Sequence, residues 1–158
     1  MRQEATVRLH PSLILNANAR MHWRKEAEMK KTLVEFGRLQ LGRGMRPDVG
    51  KVHVTFEFTF PTRRRRDRAN LHPTSKALLD GIVRAGTVLT DDSDAHIEGP
   101  DIVISDEKGE PNVVKVRVVI EDWRAVRHAR LVEAERQIMA ERAQVTRAKA
   151  EYDRGRKR

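Results

Sequence analysis

One alternating segment, residues 52–60, constrains the fold of this chain more than any other feature. Valine or phenylalanine occupies every second position of this segment, and a polar residue stands at each position between them. Because successive side chains of a β-strand point to opposite faces, this pattern predicts a strand with one buried face. Pro61 ends the strand, and the basic run Arg63–Arg66 follows at once. We therefore expect the basic run to be fixed to the end of a central strand.

Further helices and strands follow from periodicity. Apolar residues at helical spacing, closed by glycines in the first two cases, predict helices over residues 23–41, 73–85 and 122–152. Weaker alternation predicts strands over residues 5–10, 96–105 and 112–120. The last two strands flank the segment Asp106–Pro111, which is suited to the turn of a hairpin.

The charge balance narrows the class of partner. The chain has a formal net charge of +9 and a pI near 10.4, which favours a polyanion, most commonly nucleic acid. An anionic membrane is the competing partner, but no run approaches the roughly 18 apolar residues of a membrane span. The start of the sequence resembles no secretory signal, and cysteine is absent. These features predict a cytoplasmic protein whose metal, if it has one, is a hard cation held by oxygen or an ion held by histidine.

Two acidic stretches interrupt the basic sequence. Asp67 follows the strand at residues 52–60, and Asp91, Asp92 and Asp94 follow the helix at residues 73–85. Hydrolysis of a phosphodiester needs carboxylates that hold one or two Mg²⁺ ions. If the helix packs back on the sheet, we expect both stretches to converge, with Asp80 as a third candidate.

Each candidate also has a purely structural interpretation. The basic run is compatible with a targeting tag or a disordered arm, and Asp67 with local neutralisation of its arginine neighbours. Lys76, Asp80 and Arg84 are spaced as an ordinary i, i+4 ladder of charges on a helix. The acidic loop after that helix is compatible with a solvated turn.

An ordered set of motif residues runs through this region. The set comprises an arginine run, an aspartate followed by Asn-Leu, a Lys-Ala pair on a helix, an Ala-Gly pair and a double aspartate. Its members are Arg63–Arg66, Asp67, Asn70, Leu71, Lys76, Ala77, Asp80, Ala85, Gly86, Asp91 and Asp92, with Leu15–Arg20 as an N-terminal counterpart. Over residues 7–121 this pattern resembles the RusA-type Holliday junction resolvases of bacteriophages and prophages.

The resemblance implies a fold and an activity. The fold is α/β (α+β), with a small mixed β-sheet packed against helices in a single domain, residues 1–121, and a charged helical extension, residues 122–158. The activity is that of a homodimeric, Mg²⁺-dependent endodeoxyribonuclease, for which Mn²⁺ substitutes, that resolves branched DNA by paired nicks. It implies catalytic roles for Asp67, Lys76 and Asp92. Asp67, Asp91, Asp92 and Asp80 are the expected metal ligands, and the DNA-binding residues are Arg20, Arg63, Arg64, Arg65, Arg66, Arg68 and Asn70.

Two departures from the family pattern affect the expected site. Ala69 stands where the family has its second aspartate, and three extra residues separate Asn70 from Lys76. Asp80 is the preferred replacement for the missing carboxylate, and Asp94 is the second choice. The alternative function is a DNA-binding module that binds branched DNA without cutting it, and an RNA-binding or ribosome-associated basic protein is the third.

Three other features of the sequence allow more than one interpretation. His22 and Trp23 are suited to stacking on DNA bases, but the scarcity of aromatic residues favours Trp23 as a core residue at a helix start. His72 is compatible with contact to a phosphate or water, although capping or surface placement is favoured. The helix at residues 122–152 is suited to holding a DNA arm, pairing with another subunit or simply being solvated, with the last favoured.

Overall fold

The structure is a computed structural model that describes residues 2–43, 50–87, 89, 91, 93 and 95–155. The chain divides into two compact units, Met1–Trp123 and Arg124–Arg158. In the first unit the regular elements are β1 (Arg2–Leu9), α1 (Trp23–Phe36), β2 (Val52–Thr59), α2 (His72–Ala85), β3 (Ile97–Ile104) and β4 (Val114–Asp122). A π-helical segment, Gly37–Leu41, extends α1, so that together they span the expected helix at residues 23–41.

The described strands form one four-stranded mixed sheet in the order β1-β4-β2-β3. β4 is antiparallel to both β1 and β2, whereas β3 is parallel to β2. The expected mixed sheet packed against helices is therefore confirmed. The prediction that β3 and β4 form a hairpin is wrong, because β2 lies between them. The segment Asp106–Pro111 instead crosses the end of β2, where the Gly109 N–H donates to the Phe60 carbonyl at 2.8 Å.

The alternation of β2 places its two faces in different surroundings. Val54, Phe56 and Phe58 are fully buried and face the core with the alternate apolar residues of β4. On the other face, Glu57 accepts a bond from the Arg117 Nε at 2.8 Å, which raises the pKa of the Arg117 guanidinium. The expected separation of apolar and polar faces is confirmed.

Helices α1 and α2 cover the apolar face of the sheet at close range. Gly81 of α2 lies against the backbone of α1 and of the π-helical segment, and a Cβ added to Gly81 would lie 2.8 Å from the Gly37 Cα. Met29 and Leu33 of α1 and Leu78 and Ile82 of α2 are buried. The absence of side chains at the crossing lets the two helices approach more closely than alanine would allow.

Helix α2 connects two parallel strands and therefore fixes which loops meet. It starts after the carboxyl end of β2 and ends at Gly86, whose φ of 65° is the left-handed conformation typical of a helix end. Val52 pairs with Ile97, so the chain returns to the amino end of β2 before it enters β3. The carboxyl ends of β2 and β3 consequently lie at one edge of the sheet, and the loop after α2 lies at the opposite edge.

The described part of the second unit, residues 124–155, is helical throughout. Helix α3 spans Trp123–Gly155, in agreement with the helix expected at residues 122–152. Several of its apolar side chains are exposed, including Leu131, Ile138 and Val145. None of the helices in the described part of the chain is long and apolar enough to cross a membrane.

Candidate nucleic-acid interface

Arg66 organises the basic loop that follows β2. Its guanidinium donates to the carbonyl oxygens of Thr62 at 2.8 Å and Arg64 at 3.0 Å, and it lies 3.9 Å from the centroid of the Phe60 ring. Partial burial, followed by the positive charge of Arg64, lowers the pKa of Arg66. Arg66 was expected to bind DNA, but its hydrogen-bonding capacity is largely used within the loop. The basic loop is consequently folded rather than a disordered arm.

The other arginines of the loop point outward. Arg63, Arg64 and Arg65 are exposed, as is Arg68, and none of these four forms an ion pair with a carboxylate in the described part of the chain. Four like charges on one short segment repel each other unless an anion lies between them. The folded loop thus presents guanidinium groups suited to bidentate contact with phosphate.

Asp67 has a local structural role and keeps its negative charge accessible. Its Oδ1 accepts a hydrogen bond from the Ala69 N–H at 2.9 Å and caps the short 3-10 helix Arg68–Leu71. The side chain is exposed, and among the described residues it forms no ion pair. The interpretation of Asp67 as a neutralising partner of its arginine neighbours therefore does not fit the geometry. Its second carboxylate oxygen faces no partner within the described structure.

A cavity of about 230 Å³ joins Asp67 to the N-terminal segment. Asp67 and Asn70 line it together with Asn16, Arg65 and Arg66, and apolar residues complete its wall. The Ala17 N–H donates to the Asn70 carbonyl at 3.1 Å, which holds the two segments side by side. The N-terminal segment therefore lies beside the Asp67 region in the fold.

Thr74 ties the N-terminal segment to α2 from beneath the cavity. Its fully buried Oγ1 accepts from the Leu15 N–H at 2.8 Å and donates to the Leu15 carbonyl at 3.0 Å. One hydroxyl therefore satisfies both backbone groups of Leu15, which is itself buried. This pair of bonds determines where Asn16 stands relative to Asp67.

Two acidic residues that the sequence reasoning missed face the arginine loop. Asp106 and Glu107 follow β3 and line a cavity of about 340 Å³ together with Arg63–Arg66. Their position follows from the parallel pairing of β2 and β3, which brings the segments after both strands to one edge. A strand, a helix and a second strand in succession are the usual sequence signal for such a parallel pair.

The structure does not bring the second acidic stretch to Asp67. Asp91 lies two residues before Ser93, whose carbonyl accepts from the His96 N–H at 2.8 Å next to the amino end of β2. Asp67 lies beyond the carboxyl end of the same strand. The eight residues of β2 and the fourteen of α2 separate the two aspartates by about 20 Å. The expected convergence within one chain is wrong, and Asp92 and Asp94 lie outside the described residues.

Lys76 and Asp80 bind each other on the exposed side of α2. The Lys76 Nζ lies 2.8 Å from the Asp80 Oδ1, one helical turn away, and both side chains are partly exposed. This is the i, i+4 contact that the structural interpretation of their spacing predicts. Asp80 is absent from the lining of the cavity around Asp67. To replace the carboxylate missing at Ala69, Asp80 would have to break its ion pair with Lys76.

The remaining predicted residues do not line the cavity around Asp67. Arg20 is exposed at the end of the N-terminal segment, and His72 is exposed at the first turn of α2. Trp23 is 67% exposed, so its interpretation as a core residue is wrong. Within the described part of the chain, no group of three or more histidine, aspartate and glutamate residues is arranged to hold a metal ion.

No protein-family model matches this chain, and no curated protein sequence matches it. The functional interpretation therefore depends on the motif residues and on the geometry of the basic loop.

Proposed function

We propose that this chain is a Mg²⁺-dependent, structure-specific endodeoxyribonuclease that binds Holliday junctions and other branched DNA and resolves them by paired symmetric nicks. It acts in DNA recombination and repair, as a homodimer in the cytoplasm of a bacterial or phage-infected cell. The observation on which the proposal chiefly depends is the folded basic loop, in which the exposed Arg65 shares a cavity with the accessible carboxylate of Asp67. Arg63 and Arg64 are exposed on the same loop.

Charge and geometry support binding of a phosphate backbone. Exposed arginines without carboxylate partners favour an anionic ligand, and Arg66 holds their backbone in a fixed loop. Arg20 and Arg68 extend the positive surface, and the amide of Asn70 offers hydrogen bonds to sugar or base edges. Contacts of this kind position a nucleic acid without reading its sequence.

Asp67 fits a Mg²⁺ ion as one ligand of a small set. Mg²⁺ keeps several water molecules in proteins and usually takes one or two carboxylates together with phosphate oxygens of the substrate. Asp67 would supply a carboxylate oxygen, and a bound Mg²⁺ would neutralise charge on the scissile phosphate and activate a water molecule. Arg65 would bind the neighbouring phosphate, and Lys76, once released from Asp80, would meet the developing charge on the leaving oxygen.

The separation of the two acidic stretches supports a dimeric site. Asp67 and Asp91 lie about 20 Å apart at opposite edges of the sheet, by the lengths of β2 and α2. A site that uses both stretches needs two chains related by a two-fold axis, each contributing one end. Such a dimer would carry two identical sites, as two symmetric nicks in a four-way junction require.

The primary test is nicking of a labelled four-way junction with Mg²⁺, compared with EDTA. Asp67→Asn is the informative variant, because its amide oxygen can still accept the Ala69 bond while the charge is lost. We expect junction affinity within about threefold of the unmodified protein and a loss of nicking of at least about 100-fold, on the order of a missing charge contact in a transition state. The site assignment fails if Asp67→Asn and the double variant Asp91→Asn/Asp92→Asn both retain nicking.

A subunit-mixing experiment tests the shared site. Asp67→Asn protein and Asp91→Asn/Asp92→Asn protein are each expected to be inactive alone. If the site is shared between chains, a mixed dimer has one site that lacks both contributions and one intact site, so mixing restores single nicks. If each chain builds its own site, every site in a mixed dimer is damaged and mixing restores nothing. The second result would exclude the shared site while leaving the nuclease activity open.

One observation favours the second candidate function, a module that binds branched DNA without cutting it. Ala69 stands where the family has an aspartate, and Asp67 is the single carboxylate among the described residues that line the cavity of about 230 Å³. This function predicts tight junction binding with no nicking in Mg²⁺ or Mn²⁺. If an Ala69→Asp variant gains nicking, the missing carboxylate is what weakens the site. That result would argue against a different mode of DNA binding.

A further inference from the structure

Trp23 is an exposed aromatic residue, unlike the three phenylalanines in and directly after β2. Phe56 and Phe58 are fully buried and Phe60 nearly so, whereas 67% of Trp23 is open to solvent at the first position of α1. The first buried residue of that helix is Met29, so the start of α1 extends beyond the core. Packing within the described first unit therefore does not account for a tryptophan at this position.

The surroundings of Trp23 are cationic and keep its ring in place. The guanidinium carbon of Arg24 lies 5.2 Å from the Trp23 ring centroid, and the His22 ring stacks beside it with centroids 5.9 Å apart. His22 also caps α1, accepting the Arg24 N–H at 3.3 Å. Arg20 and Lys25 are exposed on either side. An exposed indole with a guanidinium over its ring and further basic residues nearby in the chain is complementary to a base attached to a phosphate chain.

The chain path limits how far Trp23 can lie from Asn70, which follows the basic loop. Ala17 is hydrogen-bonded to Asn70, and Trp23 is six positions further along the chain. Six residues span at most about 21 Å when fully extended, so Trp23 lies within that distance of the backbone beside Asn70. A cavity of about 260 Å³ lies along this path, lined by the N-terminal segment, including Asn16, Ala17 and Met21, and by Glu26 and Lys30 of α1 and Pro73 of α2.

We infer that Trp23 is a stacking platform for an unpaired DNA base next to the phosphates held by the basic loop. A paired base inside a duplex offers no free face to the indole, whereas a base unstacked at a branch point does. Stacking on an aromatic residue tolerates any base, so this contact recognises DNA structure rather than sequence. The inference rests on the proposed DNA binding and does not depend on cleavage.

Tryptophan fluorescence tests this inference directly. Trp123→Phe leaves Trp23 as the only tryptophan of the chain and keeps an aromatic ring near Lys51. This variant is titrated with a 12-nucleotide oligothymidylate and with a blunt duplex of equal phosphate content, and binding is followed in parallel by anisotropy of labelled DNA. We expect strong quenching of Trp23 by the oligothymidylate and by a junction with unpaired bases, and little by the duplex.

Affinity measurements provide the second readout. Trp23→Ala is expected to weaken oligothymidylate binding by about 5- to 150-fold, the range measured for loss of a base–aromatic stack, and Trp23→Phe by much less. Leu39→Ala is the matched control, because Leu39 is also apolar and has 47% of its surface exposed, but it lies outside this region. The control should bind as tightly as the unmodified protein.

The outcomes separate this inference from the proposed nuclease. Binding without quenching, equal quenching by duplex, or no oligothymidylate binding at all would each overturn the stacking role. Quenching by unpaired bases in a protein that never nicks would support the stacking role while contradicting the nuclease. Nicking by a protein whose Trp23 fluorescence is not quenched would support the nuclease and contradict the stacking role.

Discussion

The double hydrogen bond of Thr74 provides the sharpest test of how the candidate site is assembled. In Thr74→Val the side chain keeps its shape but loses the hydroxyl that serves both the N–H and the carbonyl of Leu15. Thr74 is 0% exposed and Leu15 3%, so water cannot readily replace the lost bonds. An unsatisfied buried polar group costs about 1–3 kcal/mol, so we expect a loss of about 2–6 kcal/mol in the free energy of unfolding. That is a large part of the roughly 5–15 kcal/mol that stabilises a small domain.

Urea unfolding followed by far-UV circular dichroism measures this loss, with two matched controls. Thr74→Ser retains the hydroxyl and removes one methyl group, for which we expect about 1 kcal/mol. Ser75→Ala removes a neighbouring buried hydroxyl that donates within its own helix turn, to the Leu71 carbonyl at 3.2 Å, and should cost about 0.5–1.5 kcal/mol. The two bonds to Leu15 do not have this role if the free energy of unfolding of Thr74→Val lies within about 0.5 kcal/mol of that of the unmodified protein. The same follows if Thr74→Ser loses as much free energy of unfolding as Thr74→Val.

Further predictions concern the helix crossing and the basic loop. Gly81→Ala forces its Cβ against the Val34 carbonyl and should lower the free energy of unfolding by at least about 1–3 kcal/mol. Gly50→Ala, where nothing lies within 4 Å of the added Cβ, should change it by less than about 0.5 kcal/mol in the same urea titration. Arg66→Lys keeps the charge but loses the planar fork, so junction affinity should fall with an unchanged salt dependence. Arg65→Gln should instead reduce the slope of log K against log salt by about one, and equal slopes for both variants would contradict this division of roles.

The individual elements of the fold were predictable because their signals are local. Alternation in residues 52–60 and helical spacing in residues 73–85 report on neighbours along the chain, and both segments adopt the expected structure. Proline and glycine at the boundaries restrict the backbone wherever the chain lies. The pairing of strands is a contact between distant segments, and the residues between β3 and β4 suited a hairpin that the fold does not form.

The candidate site was predictable only in part for the same reason. The place of the basic loop after β2 follows from sequence order, as does its nearness to Asp67 and Asn70. The distance from Asp67 to Asp91 does not follow from sequence order, because it depends on the direction in which the chain returns to β3. The exposure of Trp23 depends on how much of α1 extends past the core, and no local pattern reports that length.

By itself, the sequence determined the buried face of β2, the bounds of α2 and the accumulation of positive charge after β2. These are set by side-chain chemistry and by the backbone preferences of single residues. Only the tertiary structure decided that β2 separates β3 from β4, that Asp106 and Glu107 face the arginines, and that Asp67 and Asp91 lie at opposite edges. Those arrangements depend on strand order, which is selected by burial of the apolar face as a whole rather than by any one segment.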